Sequence, residues 1–329
     1  ARIRIVLCQN CNLPEALMNK IAEDQHDEVR FSLAQYASLS ENLMRKLAED
    51  TSVWVRAGLA LNPRLPKDLM EKLAEDQLLV QVNMADNPGL TVDLMRKLAE
   101  NEEVQILAQL AQNPHLPEDM MEKIGTNKDY TIRTCLAKNP YLSEELMEEL
   151  VKDKEPIVRA RLAANPRLPE RLMWDLSEDK WYDVLFSLSQ NPCLPKALMK
   201  KLAEDKTVEI RKNLASNPYL PVEVMRKFAV DQDIEVQKIL AKNSRLLISL
   251  MRELGKDVQF HESLARNRNI PRKMVKSFAR SKDCYIRAGV ARHPKLSYSY
   301  MQKFVEDGQI VRESLAQNPE LRAGLMYYL

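Results

Sequence analysis

The stretch Asn191–Ser216 reads NPCLPKALMKKLAEDKTVEIRKNLAS, and Asn217–Lys242, directly after it, reads NPYLPVEVMRKFAVDQDIEVQKILAK. The two 26-residue segments align slot for slot without a gap. Working outward, Asn-Pro recurs at 62, 87, 113, 139, 165, 191, 217 and 318, with His293-Pro294 as a near match. Degenerate copies at Asn10-Cys11, Tyr36-Ala37, Asn243-Ser244 and Asn267-Arg268 fill the gaps. Twelve full units then run from Asn10 to Gln317, with a half unit on either side. A fixed short period of this kind marks a repeat array, in which one unit cannot bury its apolar face until copies stack.

Each slot of the unit has a physical reading. The fourth position is Leu or Ile in every copy, from Leu13 and Leu39 to Ile270 and Leu321. Next comes Pro (Pro14, Pro66, Pro117, Pro169, Pro195, Pro221, Pro271) or a hydroxyl residue (Ser40, Thr91, Ser143, Ser297), both of which start helices. Leu17, Met18, Ile21 and Ala22 and their equivalents then form an apolar stripe at helical spacing. Val29, Leu33 and Ala34 do the same for a second helix. Its last slot is Ala in eleven of thirteen copies, with Cys8 and Ser189 the exceptions, which predicts close helix approach. Asn-Pro ends that helix, because Pro cannot continue it and disfavours helical geometry in the residue before it. No segment alternates with period two between hairpin turns, so no sheet is expected.

The expected fold is all-α: a right-handed superhelical α-solenoid of about twelve 26-residue two-helix repeats. It is read as one continuous solenoid over 1–329 that begins and ends mid-repeat. The unit from Asn243 to Asn267 is two residues short and lacks both prolines, which predicts a local irregularity there.

Composition follows from the unit. Of 17 prolines only Pro156 lies outside the turn slots, and the chain has only 7 glycines. Phosphate-cradling loops and dinucleotide-binding turns depend on glycine, so a nucleotide-binding α/β enzyme is disfavoured. Five cysteines at irregular spacing argue for a reducing compartment, and a cytoplasmic location is expected. No apolar run approaches the ~20 residues that cross a bilayer, so no membrane span is expected.

The unit N-P-x-L-P-x-x-L…L-A-x-D…V-R-x-x-L-A resembles the leucine-rich repeat variant family, an α-solenoid of alternating helices. Its L-A-x-D…R half is also similar to HEAT repeats, in which an Asp and a following Arg build a ladder between neighbours. The variant family has somewhat shorter units with a short 3-10 second helix, whereas the extra residues here leave room for an ordinary α-helix. The resemblance spans the whole chain. It implies a binding or scaffold role and carries no catalytic residues.

Candidate chemistry is sparse. Asp24/Arg30, Asp50/Arg56, Asp153/Arg159 and Asp205/Arg211 stand six apart and Asp307/Arg312 five apart, while Gln81, Leu107, Leu185 and Gln237 interrupt the arginine slot. Inter-repeat ion pairs and bonds to loop carbonyls explain this row better than an anion track. Twelve of the 15 methionines, from Met18 to Met326, share one slot beside the core Leu and are read as packing. Cys8 and Cys11 form a C-x-x-C with no second pair. Some leucine-rich repeat variant proteins carry a cysteine-ligated iron–sulfur module before the repeats, so an upstream segment could complete a site with these two. On this chain no metal, cofactor or catalytic residue is assigned. His26, His115, His261 and His293 occupy four different slots, and no nucleophile or phosphate-binding motif occurs. The expectation is a protein without enzymatic activity.

Charge is uneven. Residues 240–329 hold 17 basic and 8 acidic residues in a chain of net charge +2, so the first part is net acidic. A basic run comprises Arg266, Arg268, Arg272, Lys273, Lys276, Arg280, Lys282, Arg287, Arg292 and Lys295, with Asp283 as its only acid. It is a candidate anion-binding patch. Slots that vary between copies are candidates for a partner-binding surface. These are Arg64, His115, Tyr141, Arg167 and Tyr219 after Asn-Pro, and Trp54, Trp181 and Tyr182 between the two helices.

The leading functional expectation is a non-enzymatic scaffold that binds a protein or peptide along one face. The alternatives are nucleic-acid or other polyanion binding through the basic third, and a structural protein that self-associates head-to-tail. The last rests on residues 3–10 matching only a second helix and 318–329 only a first helix, as a piece of a longer chain would also do.

Overall fold

The computed structural model describes residues 1–8, 13–36, 38–326 and 328. Among these residues the regular structure is 26 α-helices and one 3-10 helix, with no strand. None of the helices is long and apolar enough to cross a membrane. The chain divides into two compact units, Ala1–Leu176 and Ser177–Leu329.

Within each unit the repeat is a pair of short helices. In the first unit Glu144–Leu150 is followed by Pro156–Ala163, and in the second Val222–Phe228 by Ile234–Lys242. Second helices pack on the second helices of neighbouring repeats, as Asp27–Ala34 does on Val53–Ala60 and that on Leu78–Ala85. Each first helix packs on the second helix of its own repeat, so two layers form. Between them lie the apolar slots of the sequence: Val29, Leu33, Val55, Leu59 and Val80 are fully buried, and so are Met95 and Met199 of the methionine row. Burying one such side chain contributes about 1.5–3 kcal/mol. The methionine row is packing, as expected, except that Met326 is exposed.

The helix starts differ in one respect from expectation. The prolines occupy the N-cap position ahead of the helix, Pro221 with φ −60° and ψ 146°. Ser40, Thr91 and Ser297 hold similar extended angles, but their side chains make no capping hydrogen bond. Ser143 alone of the four hydroxyl slots caps, accepting from the Leu146 amide. The slot is therefore set by the extended backbone that proline favours, and a capping oxygen is not required.

The asparagine of Asn-Pro does more than end a helix. Asn62, Asn87, Asn113, Asn139 and Asn165 are buried. Asn139 Nδ2 donates to the Ala111 carbonyl at 2.9 Å and the Asn113 carbonyl at 3.0 Å, both in the preceding repeat. Its Oδ1 accepts from the Tyr141 amide at 2.9 Å and closes the turn. The same pair of bonds links Asn62, Asn87, Asn113 and Asn165 in the first unit and Asn243, Asn267 and Asn318 in the second to the repeat before each. The acceptor next to the asparagine slot is the carbonyl of the Ala slot, so the small residue there lets the amide reach it.

The short repeat is irregular as predicted. Ile248–Leu254 is followed by the 3-10 helix Val258–Phe260, which runs into the five-residue helix His261–Ala265. With two residues missing, the second helix loses its first α-turn.

Candidate functional site

The arginine row is structural, with a geometry the sequence left open. Arg133 places Nε 2.5 Å and one terminal nitrogen 2.9 Å from the two Asp153 oxygens, twenty residues onward in the next repeat. Its other terminal nitrogen donates to the Asn127 carbonyl, six residues back. Arg30, Arg56, Arg211 and Arg287 repeat this fork on Asp50, Asp76, Asp231 and Asp307. The acid six residues before Arg30, Arg56 or Arg211 thus gives its backbone carbonyl, and the carboxylate comes from the following repeat. Burial pulls the Asp153 carboxyl upward, but Arg133 and the Glu155 amide outweigh it and hold it below the usual range. Arg287 belongs to these forks, so although it lies in the basic run its guanidinium is committed to Asp307.

The eight partner-surface candidates lie at one end or the other of second helices in their own units. Arg64, His115, Tyr141, Arg167 and Tyr219 sit in the turns that follow second helices. The Arg167 guanidinium lies 5.6 Å from the Tyr141 ring and donates to the Pro140 carbonyl, so these two also stack one repeat on the next. Arg245 covers Tyr219 in the same way at 4.9 Å. Trp54 in the first unit and Trp181 and Tyr182 in the second sit at the other end, at the starts of second helices Val53–Ala60 and Tyr182–Ser189. Trp54 is 58% exposed and lines an open cavity of about 540 Å³ with Ile5, Asp27, Glu28, Phe31 and Ser32. Gly58 is needed behind it, because a Cβ there would come within 2.7 Å of the Phe31 ring. Tyr182 stacks tilted on Phe186 with ring centres 5.5 Å apart.

The basic run is likewise divided. Arg272, Lys273 and Lys276 are exposed on the first helix Arg272–Phe278, and Lys282 is exposed in the linker after it. Arg280 donates to the Tyr300 hydroxyl at 2.6 Å, and Lys295 Nζ reaches the Ile270 carbonyl at 3.4 Å. Arg266, Arg268 and Arg292 do come together, lining a cavity of about 470 Å³ in the second-helix layer with Tyr285, His293 and Ser314. Arg266 is paired with Glu262 at 2.6 Å.

His293 stands in the asparagine slot. Its Nδ1 accepts from the Lys295 amide at 3.0 Å, which reproduces the turn bond of Asn139. Burial, with the Lys295 charge adding to it, pushes its pKa down to about 4, so the ring is neutral near pH 7. A neutral ring whose Nδ1 accepts carries its proton on Nε2. That buried nitrogen makes no hydrogen bond of good geometry, and the Arg268 backbone beside the ring only partly offsets the downward shift.

Among the described residues no three His, Cys, Asp or Glu side chains gather as a metal site. Cys8 is buried, burial raises its thiol pKa, and its sulfur contacts the Val29 carbonyl at 4.0 Å. Cys11 lies outside the described residues.

No family model matches the chain. No curated protein matches it either. Among solved structures it is similar to a leucine-rich repeat variant, described as having a novel repetitive protein structural motif. The identity is 20% and the TM-score 0.44, covering 65% of this chain and 86% of that one. This is the family that the repeat unit resembles.

Proposed function

We propose that the chain is a non-enzymatic scaffold that takes up a protein or peptide partner on its layer of second helices. The observation that carries this reading is the Trp54 cavity. A large exposed ring lines this cavity with Phe31, Asp27 and Glu28, and among the described residues it has none of the inter-repeat bonding that occupies Tyr141 and Arg167. Such a ring is the kind of anchor that dominates interface energetics, and the two acids favour a basic side chain on the partner. The buried rungs below are nearly constant from copy to copy, whereas Trp54 is replaced by Gln105, Thr131 and Ile157 in later repeats. Variable surface on a constant frame is the arrangement a recognition face requires.

Panning a random-peptide display library against the chain tests this. A shared motif containing Lys or Arg should emerge. Its binding should be lost in Trp54→Ala and retained in Tyr141→Ala. Failure to enrich any motif, or equal loss in both variants, would contradict the reading.

A second reading, anion binding through the basic third, is supported by the convergence of Arg266, Arg268 and Arg292 on one cavity. It predicts affinity that falls as salt rises.

A further inference from the structure

The arginine-lined cavity differs from the rest of the second-helix layer in three ways. It lies beside the shortened repeat, where His261–Ala265 replaces a full-length helix. Its wall is cut back to small residues, Ala265, Ala288 and Gly289, and the backbones are so close that a Cβ on Gly289 would sit 2.7 Å from that of Ala265. It also contains the one break in the described asparagine slots at which a buried histidine, with no well-formed hydrogen bond at Nε2, replaces the amide.

We propose that this cavity is a binding site for a phosphate monoester, held by Arg268 and Arg292 with Arg266 at its rim. The proposal refines the anion-binding reading and rests on it. The Arg268 and Arg292 guanidinium groups make no hydrogen bond or ion pair among the described residues, and among those residues the only carboxylate bonded to the lining arginines is Glu262 on Arg266. Guanidinium forks match the oxygens of a phosphate group two at a time, and a dianion offsets a cluster of like charges better than a monoanion does. The Tyr285 and Ser314 hydroxyls add donors, and the His293 ring forms part of the wall. A duplex would instead need cations in a continuous row. Here Arg272, Lys273 and Lys276 lie on a first helix and Arg287 is spent on Asp307, so the geometry favours one compact anion over a backbone track. A phosphorylated side chain and a small phosphorylated metabolite present the same group.

Isothermal titration of the full chain with phenyl phosphate, inorganic phosphate, a phosphoserine peptide and a short DNA duplex tests the proposal. Phenyl phosphate should bind saturably at one site. Arg268→Gln together with Arg292→Gln should weaken it about tenfold or more, the scale of two lost charge-assisted bonds. Arg272→Gln with Lys276→Gln should leave it unchanged. Both pairs are exposed, and matching melting curves will show that the variants fold. Tighter binding of the phosphoserine peptide than of phenyl phosphate identifies a partner's side chain as the source, and the reverse order identifies a small molecule. No saturable phenyl phosphate binding, or equal binding after the Arg268/Arg292 change, overturns the proposal. Duplex binding without phenyl phosphate binding overturns it while sparing the broader anion reading. Binding of none of the four probes removes both.

Discussion

His293 and Asn139 occupy the same slot, and comparing them isolates what the slot does. Asn139 serves one amide and two carbonyls at once, while His293 keeps the amide bond and forms no well-aligned bond to the preceding repeat. Asparagine restored at 293 would again reach the Ala265 and Asn267 carbonyls, by analogy with its neighbours. His293→Asn is therefore expected to raise the melting temperature. The effect should grow as the medium is acidified. The histidine pKa falls from 6.5 to about 4 on folding, so between those values the unfolded chain binds more protons. Stability consequently drops as pH falls through that window, by up to about 3 kcal/mol. Thermal unfolding of both proteins at neutral pH and at pH 5 checks this; parallel curves would contradict it. From sequence, Asn-Pro reads as a helix stop, since proline explains the stop by itself. The clue to the ladder was that Asn243 and Asn267 persist where proline is replaced by Ser244 and Arg268. Asparagine is the residue the buried bonds require.

Between elements, the arginine forks tie one second helix to the linker of the next repeat, and their slots change in concert. Arg133 faces Asp153, and Gln81 takes a hydrogen bond from Asn101 twenty residues on at 2.7 Å. Leu107 stands with Asn127 at the same separation. Removing one partner of a nearly buried pair leaves an uncompensated charge, which costs about 3–5 kcal/mol. Arg133→Leu should therefore be severe. Arg133→Leu with Asp153→Asn, which copies the Leu107/Asn127 rung, should recover most of the loss. A double-mutant cycle by urea unfolding measures the coupling, and simple additivity would contradict it. The sequence showed that Arg and Asp recur together. It could not show which Asp each Arg meets, because a neighbour in the stack is as close as a neighbour in the chain. The exposed Lys–Glu pairs, such as Lys46–Glu23 and Lys97–Glu75, run between repeats as well but contribute little.

Over the whole chain, the repeat made the helices, their order and the core legible, because each apolar slot recurs about a dozen times. The binding surfaces were legible only as variability. The row after Asn-Pro and the aromatic residues at the second-helix starts fall in different turns, and the basic run is divided among a first helix, a linker and a cavity. Residues adjacent in sequence are dealt to first helices, second helices and the turns at either end of them. The cavity at Arg268 and Arg292 needed the structure, since it depends on which side chains of successive second helices face one another. The central claim is that stability passes only between neighbouring repeats, through buried asparagine rungs. Segment-resolved hydrogen exchange of Asn139→Ala tests it most directly. The substitution removes both donors to the preceding repeat, so exchange should quicken from Val104–Gln112 to Pro156–Ala163 and stay at the wild-type rate in Asp27–Ala34 and Cys284–Ala291. A uniform rise in exchange along the whole chain, or no rise around residue 139, would contradict the account.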